Sequence, residues 1–153
     1  MIRILFSGAF AALIVLGPAA RAAEFGTKDE AVAMVKRVQE KFKKDGADAT
    51  FQAVSNKSTP EFHDRDLYPY IFDMNGINVA HGTRPGLIGK NLWEMKDPDG
   101  KYPIRMQIEI ARGPGSGWAD YKWVNPFTNK MENKSSYVEK MGDYFVGVGI
   151  WKP

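Results

Sequence analysis

The 153 residues carry 21 Lys and Arg against 18 Asp and Glu, a formal charge of +3, and no cysteine. The missing cysteine excludes disulfides, thiolate metal sites and a lipid-anchored cysteine. The modest charge, with no basic patch, argues against nucleic acid.

The first 22 residues have the build of a secretory signal: Arg3, an apolar run over residues 4–16, Pro18, and the small-x-small triplet Ala20-Arg21-Ala22. Cleavage after Ala22 is expected, delivering the mature protein to a bacterial periplasm. The apolar run falls short of the roughly 20 residues a membrane span needs. Its loss takes Arg3 and Arg21 with it and leaves 131 residues at a net charge of +1, enough for one domain with one real core. The expected organisation is therefore a signal over residues 1–22 and a single domain over residues 23–153. No membrane-spanning segment is expected in the mature chain.

Thr27-Lys28-Asp29-Glu30 reads as a capping box. The helix it opens should run to Asp45 and stop at Gly46, with Ala31, Val35, Val38 and Phe42 as its apolar stripe. A further short helix is expected over residues 47–54. Two strand-like runs follow, Tyr70-Ile71-Phe72 and Ile77-Asn78-Val79-Ala80, separated by Asn75-Gly76, a strong hairpin signal. With a two-residue loop Met74 faces Ile77, Phe72 faces Val79 and Tyr70 faces His81. A four-residue loop keeps Tyr68, Tyr70, Phe72, Val79 and His81 on one face, whereas a three-residue loop breaks the arrangement.

Asp97-Pro98-Asp99-Gly100 is a turn, and residues 103–112 suit a helix with Pro103 in its first turn. Three strands close the chain over residues 118–124, 133–141 and 144–151. In the first, Tyr121 and Trp123 share a face while Asp120 and Lys122 take the other. In the last, Gly147 and Gly149 share a face, which implies close approach of backbone or ligand. The fold class is α+β: a five-stranded antiparallel sheet with the long N-terminal helix on one face and a helical and loop connection on the other, where a small pocket would form.

The segments Tyr70-Ile71-Phe72-Asp73, Asn75-Gly76, Ala80-His81-Gly82, Gly89-Lys90-Asn91-Leu92, Lys96-Asp97, Gly100-Lys101, Gly115-x-Gly117-Trp118, Asn125-Pro126, Lys134-Ser135, Tyr137-Val138 and Val148-Gly149-Ile150, with Tyr121 and Trp123, resemble in order and spacing a single Cache domain, an extracellular sensor module of PAS-like fold. The resemblance spans nearly the whole mature chain. It implies a pocket for a small metabolite, above all a carboxylate, and partners such as a membrane receptor or histidine kinase. One departure is Gly142-Asp143-Tyr144-Phe145, where a tryptophan is common in the family. With no output segment after Pro153, the expectation is a stand-alone binding module; the alternative is a protein–protein docking module without a small ligand.

The candidate ligand-binding residues are Tyr70, His81, Arg84, Tyr121, Trp123, Lys134 and Tyr137. His81 can hydrogen-bond a carboxylate, and burial beside an anion would favour its charged form. Lys134 occupies the family's lysine in the fourth strand, and an inward lysine is costly unless an anion compensates it. Arg84 offers a bidentate fork. Tyr70, Tyr121, Trp123 and Tyr137 would wall the pocket, while Trp93 and Trp118 read as core. Catalysis finds no support: there is no Gly-x-Ser-x-Gly elbow, zinc-protease helix or phosphate loop. Two distant histidines without cysteine make a poor metal set, so neither metal nor cofactor is expected.

Overall fold

A computed structural model describes residues 24–152. The expected signal over residues 1–22 lies outside them. The elements are α1 (Lys28–Ser55), β1 (Pro69–Asp73), β2 (Asn78–His81), α2 (Pro103–Arg112), β3 (Ser116–Val124), β4 (Met131–Met141) and β5 (Tyr144–Trp151), with single 3-10 turns at Pro60–Phe62 and Pro85–Leu87.

The Thr27–Glu30 capping box forms: Thr27 Oγ1 accepts from the Glu30 N–H, and Glu30 Oε2 accepts from the Thr27 N–H. Gly46 breaks the helix where a stop was expected, with φ 82° and ψ 179°, and a second helical stretch continues to Ser55. Ala31, Met34, Val35 and Val38 are completely buried against the sheet. Burial of a side chain the size of valine or methionine is worth about 1.5–3 kcal/mol, so this stripe fixes α1 to its sheet face.

The sheet is antiparallel throughout, in the order β2-β1-β5-β4-β3. Its two faces bury separate cores. Ile71, Ala80, Val146 and Val148 meet α1, whereas Tyr70, Phe72, Val138 and Phe145 meet Ile104, Ile108 and Ala111 of α2. β3 and β4 each begin two residues earlier than the sequence pattern suggests.

The hairpin departs from the two-residue expectation. The Gly76 N–H donates to the Asp73 carbonyl, the Asp73 N–H donates to the Ile77 carbonyl, and Gly76 takes φ 88°. That is a three-residue turn, and it pairs Phe72 with Asn78 in place of Val79. A bulge between Ile71 and Phe72 then moves the register by one, so that Ile71 faces Ala80 and Tyr70 faces His81. The bulge cancels the slip, and the pairing that matters for the site survives. Asn78, fully buried, props it by donating from Nδ2 to the Ile71 and Ala80 carbonyls, both at 3.2 Å.

Candidate functional site

Tyr70, Phe72, His81, Ile104, Tyr121, Trp123 and Lys134 enclose a cavity of about 10 Å³ between the sheet and α2, room for about one water molecule. Larger clefts of about 490 and 410 Å³ lie open at the surface and enclose no buried cation. Five of the seven sequence-predicted site residues therefore meet at one place.

Lys134 is the unusual member. Its side chain is 2% exposed, and its Nζ donates to Tyr68 Oη at 2.9 Å. The ammonium lies 4.5 Å from the centre of the Tyr68 ring, 4.6 Å from Trp151 and 5.5 Å from Tyr70. Such faces attract a cation by about 0.5–2 kcal/mol each. Among the described residues no carboxylate comes within ion-pair distance of it. Burial accordingly holds its pKa below the ordinary lysine value.

Glycines make the space. A Cβ at Gly149 would collide with Lys134 Cε and Ser136 Oγ, and one at Gly147 with the Tyr70 ring. The close approach expected of these strand glycines comes from the protein's own side chains.

His81 Nδ1 accepts from the N–H groups of Thr83 at 3.2 Å and Arg84 at 3.1 Å. A nitrogen that accepts carries no proton, so the neutral ring is protonated at Nε2, which has no hydrogen-bond partner among the described residues. Burial first, then the charges of Lys134 and Arg84, push the pKa from 6.5 down to about 3. In the protein alone His81 is thus neutral, because cations and not anions surround it; the charged form is expected only beside a bound anion.

Two expectations are corrected. Tyr137 stands on the α1 face, its ring 5.5 Å from Trp118 and its hydroxyl on Glu139. Strand alternation puts it opposite Lys134, three positions away. Arg84 does not line the cavity; its Nη2 donates to the Val124 carbonyl at 3.2 Å, tying the β2 exit to the end of β3.

Three residues escaped the sequence reading as parts of the site. Tyr68, placed on the hairpin's aromatic face, is the hydrogen-bond partner of Lys134. Trp151 pairs in register with Lys134 and covers its ammonium. Gln107, fully buried on α2, accepts from the Tyr70 hydroxyl at 2.7 Å. The signal for Gln107 was available: it is the one polar position in the Ile104, Gln107, Ile108, Ala111 stripe.

The model of the Cache domain family matches residues 27–152. The chain belongs to the Cache domain family. It is 30% identical over 118 residues, 74% of its length, to the sensor histidine kinase MctS of Rhizobium johnstonii. It is 28% identical over 91 residues, 58% of its length, to the methyl-accepting chemotaxis protein McpP of Pseudomonas putida. It spans only 25% and 17% of those two proteins.

Among solved structures it resembles the periplasmic sensor domain of a chemotaxis protein at TM-score 0.65 and 24% identity, covering 82% of this chain and 90% of that one. A methyl-accepting chemotaxis protein from Vibrio parahaemolyticus gives TM-score 0.61 at 27% identity, covering 80% and 82%. A Cache chemosensory domain described in terms of carboxylic acid recognition gives TM-score 0.64 at 20% identity, covering 82% and 88%. This Cache domain is thus a sensor module of the kind carried by chemoreceptors and histidine kinases, a family of binding rather than catalytic domains. Among the described residues no helix is long and apolar enough to cross a membrane.

Proposed function

We propose that this Cache domain is a periplasmic binding module for a small organic acid, exported by a signal over residues 1–22, with the carboxylate held by Lys134 and His81. The observation that carries the reading is a buried ammonium that, among the described residues, has no acidic partner, beside an imidazole N–H that has no acceptor among them. A carboxylate supplies what both lack: charge for Lys134 and acceptor oxygens for Nζ and Nε2. Tyr70, Tyr121 and Trp123 wall the remainder, which suits an apolar pocket with few polar groups. The shared fold with a Cache domain described by carboxylic acid recognition supports the architecture as a house for such a ligand.

The space of one water limits the acid to a short chain and requires the walls to yield. Titration calorimetry and thermal melts with acetate, propionate, pyruvate, lactate and succinate test the reading. A ligand at a hundred times its dissociation constant stabilises by about 2.7 kcal/mol, a rise on the order of 5–15 °C in Tm. No heat and no shift with any acid would remove the proposal.

The same narrow cavity favours a second reading, in which the domain docks on a membrane receptor through its surface and needs no small ligand. Capture of one membrane protein by wild type and Lys134→Met alike, without any acid response, would support it.

A further inference from the structure

We propose that Gln107, which stands behind the Tyr70 hydroxyl and outside the ring of residues enclosing the cavity, is a specificity-determining residue of this same site, reading a second polar atom of the acid once the walls yield to admit it. The proposal rests on the carboxylate reading above.

Gln107 has no exposed surface. Its Oε1 accepts from Tyr70 Oη at 2.7 Å, and its Nε2 has no partner among the described residues. Turning the amide over exchanges the two atoms and leaves the other one orphaned, so the deficit does not depend on that assignment. A buried amide group without a partner costs about 1–3 kcal/mol. Leucine at the same position of the stripe would carry no such cost.

Tyr70 connects this orphan to the cation. Its ring faces Lys134 Nζ at 5.5 Å and stacks on His81 at 6.1 Å, while its hydroxyl reaches Gln107. The same hydroxyl lies 3.3 Å from Tyr121 Oη, which lies 2.8 Å from Ser136 Oγ. Polar groups therefore stand at two places on Tyr70, over its ring face and at its hydroxyl. At one, Lys134 and His81 await an anion. At the other, an amide and two phenols form a cluster with one hydrogen-bonding atom to spare. A short acid with a hydroxyl or oxo oxygen on its chain satisfies both places, and its unsubstituted counterpart satisfies one. A site built to hydrogen-bond a polar substituent discriminates strongly against the analogue without it.

Lactate and propionate differ by that one hydroxyl and serve as probes. Calorimetry on wild type should show lactate bound at least about 10-fold more tightly than propionate. Gln107→Leu should lose that factor for lactate and leave propionate within about 3-fold, with Tm unchanged or raised. Tyr70→Phe, which removes the hydroxyl holding the amide, should produce the same selective loss, and it decides the matter where Gln107→Leu does not fold. Parallel weakening of both acids, or no change in either, overturns the proposal. Equal affinity of wild type for the two acids overturns it too, while leaving the carboxylate reading intact. Binding of neither those two nor any other acid removes both.

Discussion

Lys134 is held in the core by three aromatic rings and one phenol, and burial holds its pKa below the ordinary lysine value. The folded state therefore prefers the neutral amine more than the unfolded chain does. Above its folded pKa the unfolded chain binds the extra proton, so stability rises as pH climbs toward the unfolded value near 10.4. Replacing a buried charge that lacks an acidic partner by an apolar side chain of similar volume removes its desolvation cost. Lys134→Met should accordingly raise the urea midpoint at pH 7 while abolishing every carboxylate response, a trade of function for stability. A destabilised variant would mean that the cage outweighs desolvation. His81 acts with the same sign in a lower pH window. Its folded pKa of about 3 lies below the ordinary 6.5, so its contribution is complete above pH 6.5 and is lost as pH falls toward 3. The part between pH 6.5 and about pH 5 precedes the main carboxylate titrations. Urea melts across that interval should show stability falling with acid in wild type and a flatter profile in His81→Gln. Much of this was legible in the residues: alternation along β3 puts Tyr121 and Trp123 on one face, and Lys134 reads as costly if inward. The same alternation excludes Tyr137, because Lys134 and Tyr137 differ by an odd number of positions. Gln107 was hidden because a glutamine in an amphipathic helix is ordinarily solvated, and only its place in the apolar stripe betrays it.

At the scale of elements, the hairpin shows how a correct pairing arises from a turn that the sequence does not announce. Asn75-Gly76 marks the turn, but Asp73 decides its length: Oδ1 accepts from the Asn75 and Ile77 N–H groups at 2.9 and 2.8 Å and stabilises the three-residue form. The compensating bulge has no strong local signature, since valine at position 79 is an ordinary strand residue. Its support comes from outside the hairpin. The Asn78 N–H donates to the Lys90 carbonyl and the Gly89 N–H to the Asn78 carbonyl, so the connection after β2 clamps the bulged strand. Asn78→Ala removes the side chain that holds the Ile71 and Ala80 carbonyls and should destabilise by about 1–3 kcal/mol. Because His81 follows the bulge by two residues, the variant should also weaken acetate and lactate together, with faster amide exchange confined to β1 and β2. Full affinity in a destabilised Asn78→Ala protein would separate the bulge from the site.

For the whole molecule, the arrangement of two cores on opposite sheet faces decides how a ligand can enter. The α1 face is sealed by Met34, Val35 and Val38. On the α2 face, Tyr70, Phe72, His81, Ile104, Tyr121 and Lys134 are all buried, and Trp123 is the cavity-lining residue most open to solvent among the described residues. Its ring meets Tyr121 edge-on at 5.8 Å, and the adjoining Val124 carbonyl is tethered by Arg84. Paired strands open slowly and side chains at strand ends move readily, so the path of least cost passes Trp123. Association should then be limited by displacement of that ring and not by diffusion, with a rate constant at or below the ordinary range of about 10⁵–10⁷ M⁻¹s⁻¹. Trp123→Ala opens the path to bound and free ligand alike. Stopped-flow binding of lactate or acetate should show association and dissociation both accelerated by about 10-fold or more, with the equilibrium constant changing less than either rate. Arg84→Ala, which frees the Val124 end of β3, should move both rates in the same direction by a smaller factor. A Trp123→Ala protein whose affinity falls through dissociation alone would make Trp123 a plain contact and place the entrance elsewhere, with the connection between β2 and α2 as the remaining wall able to move.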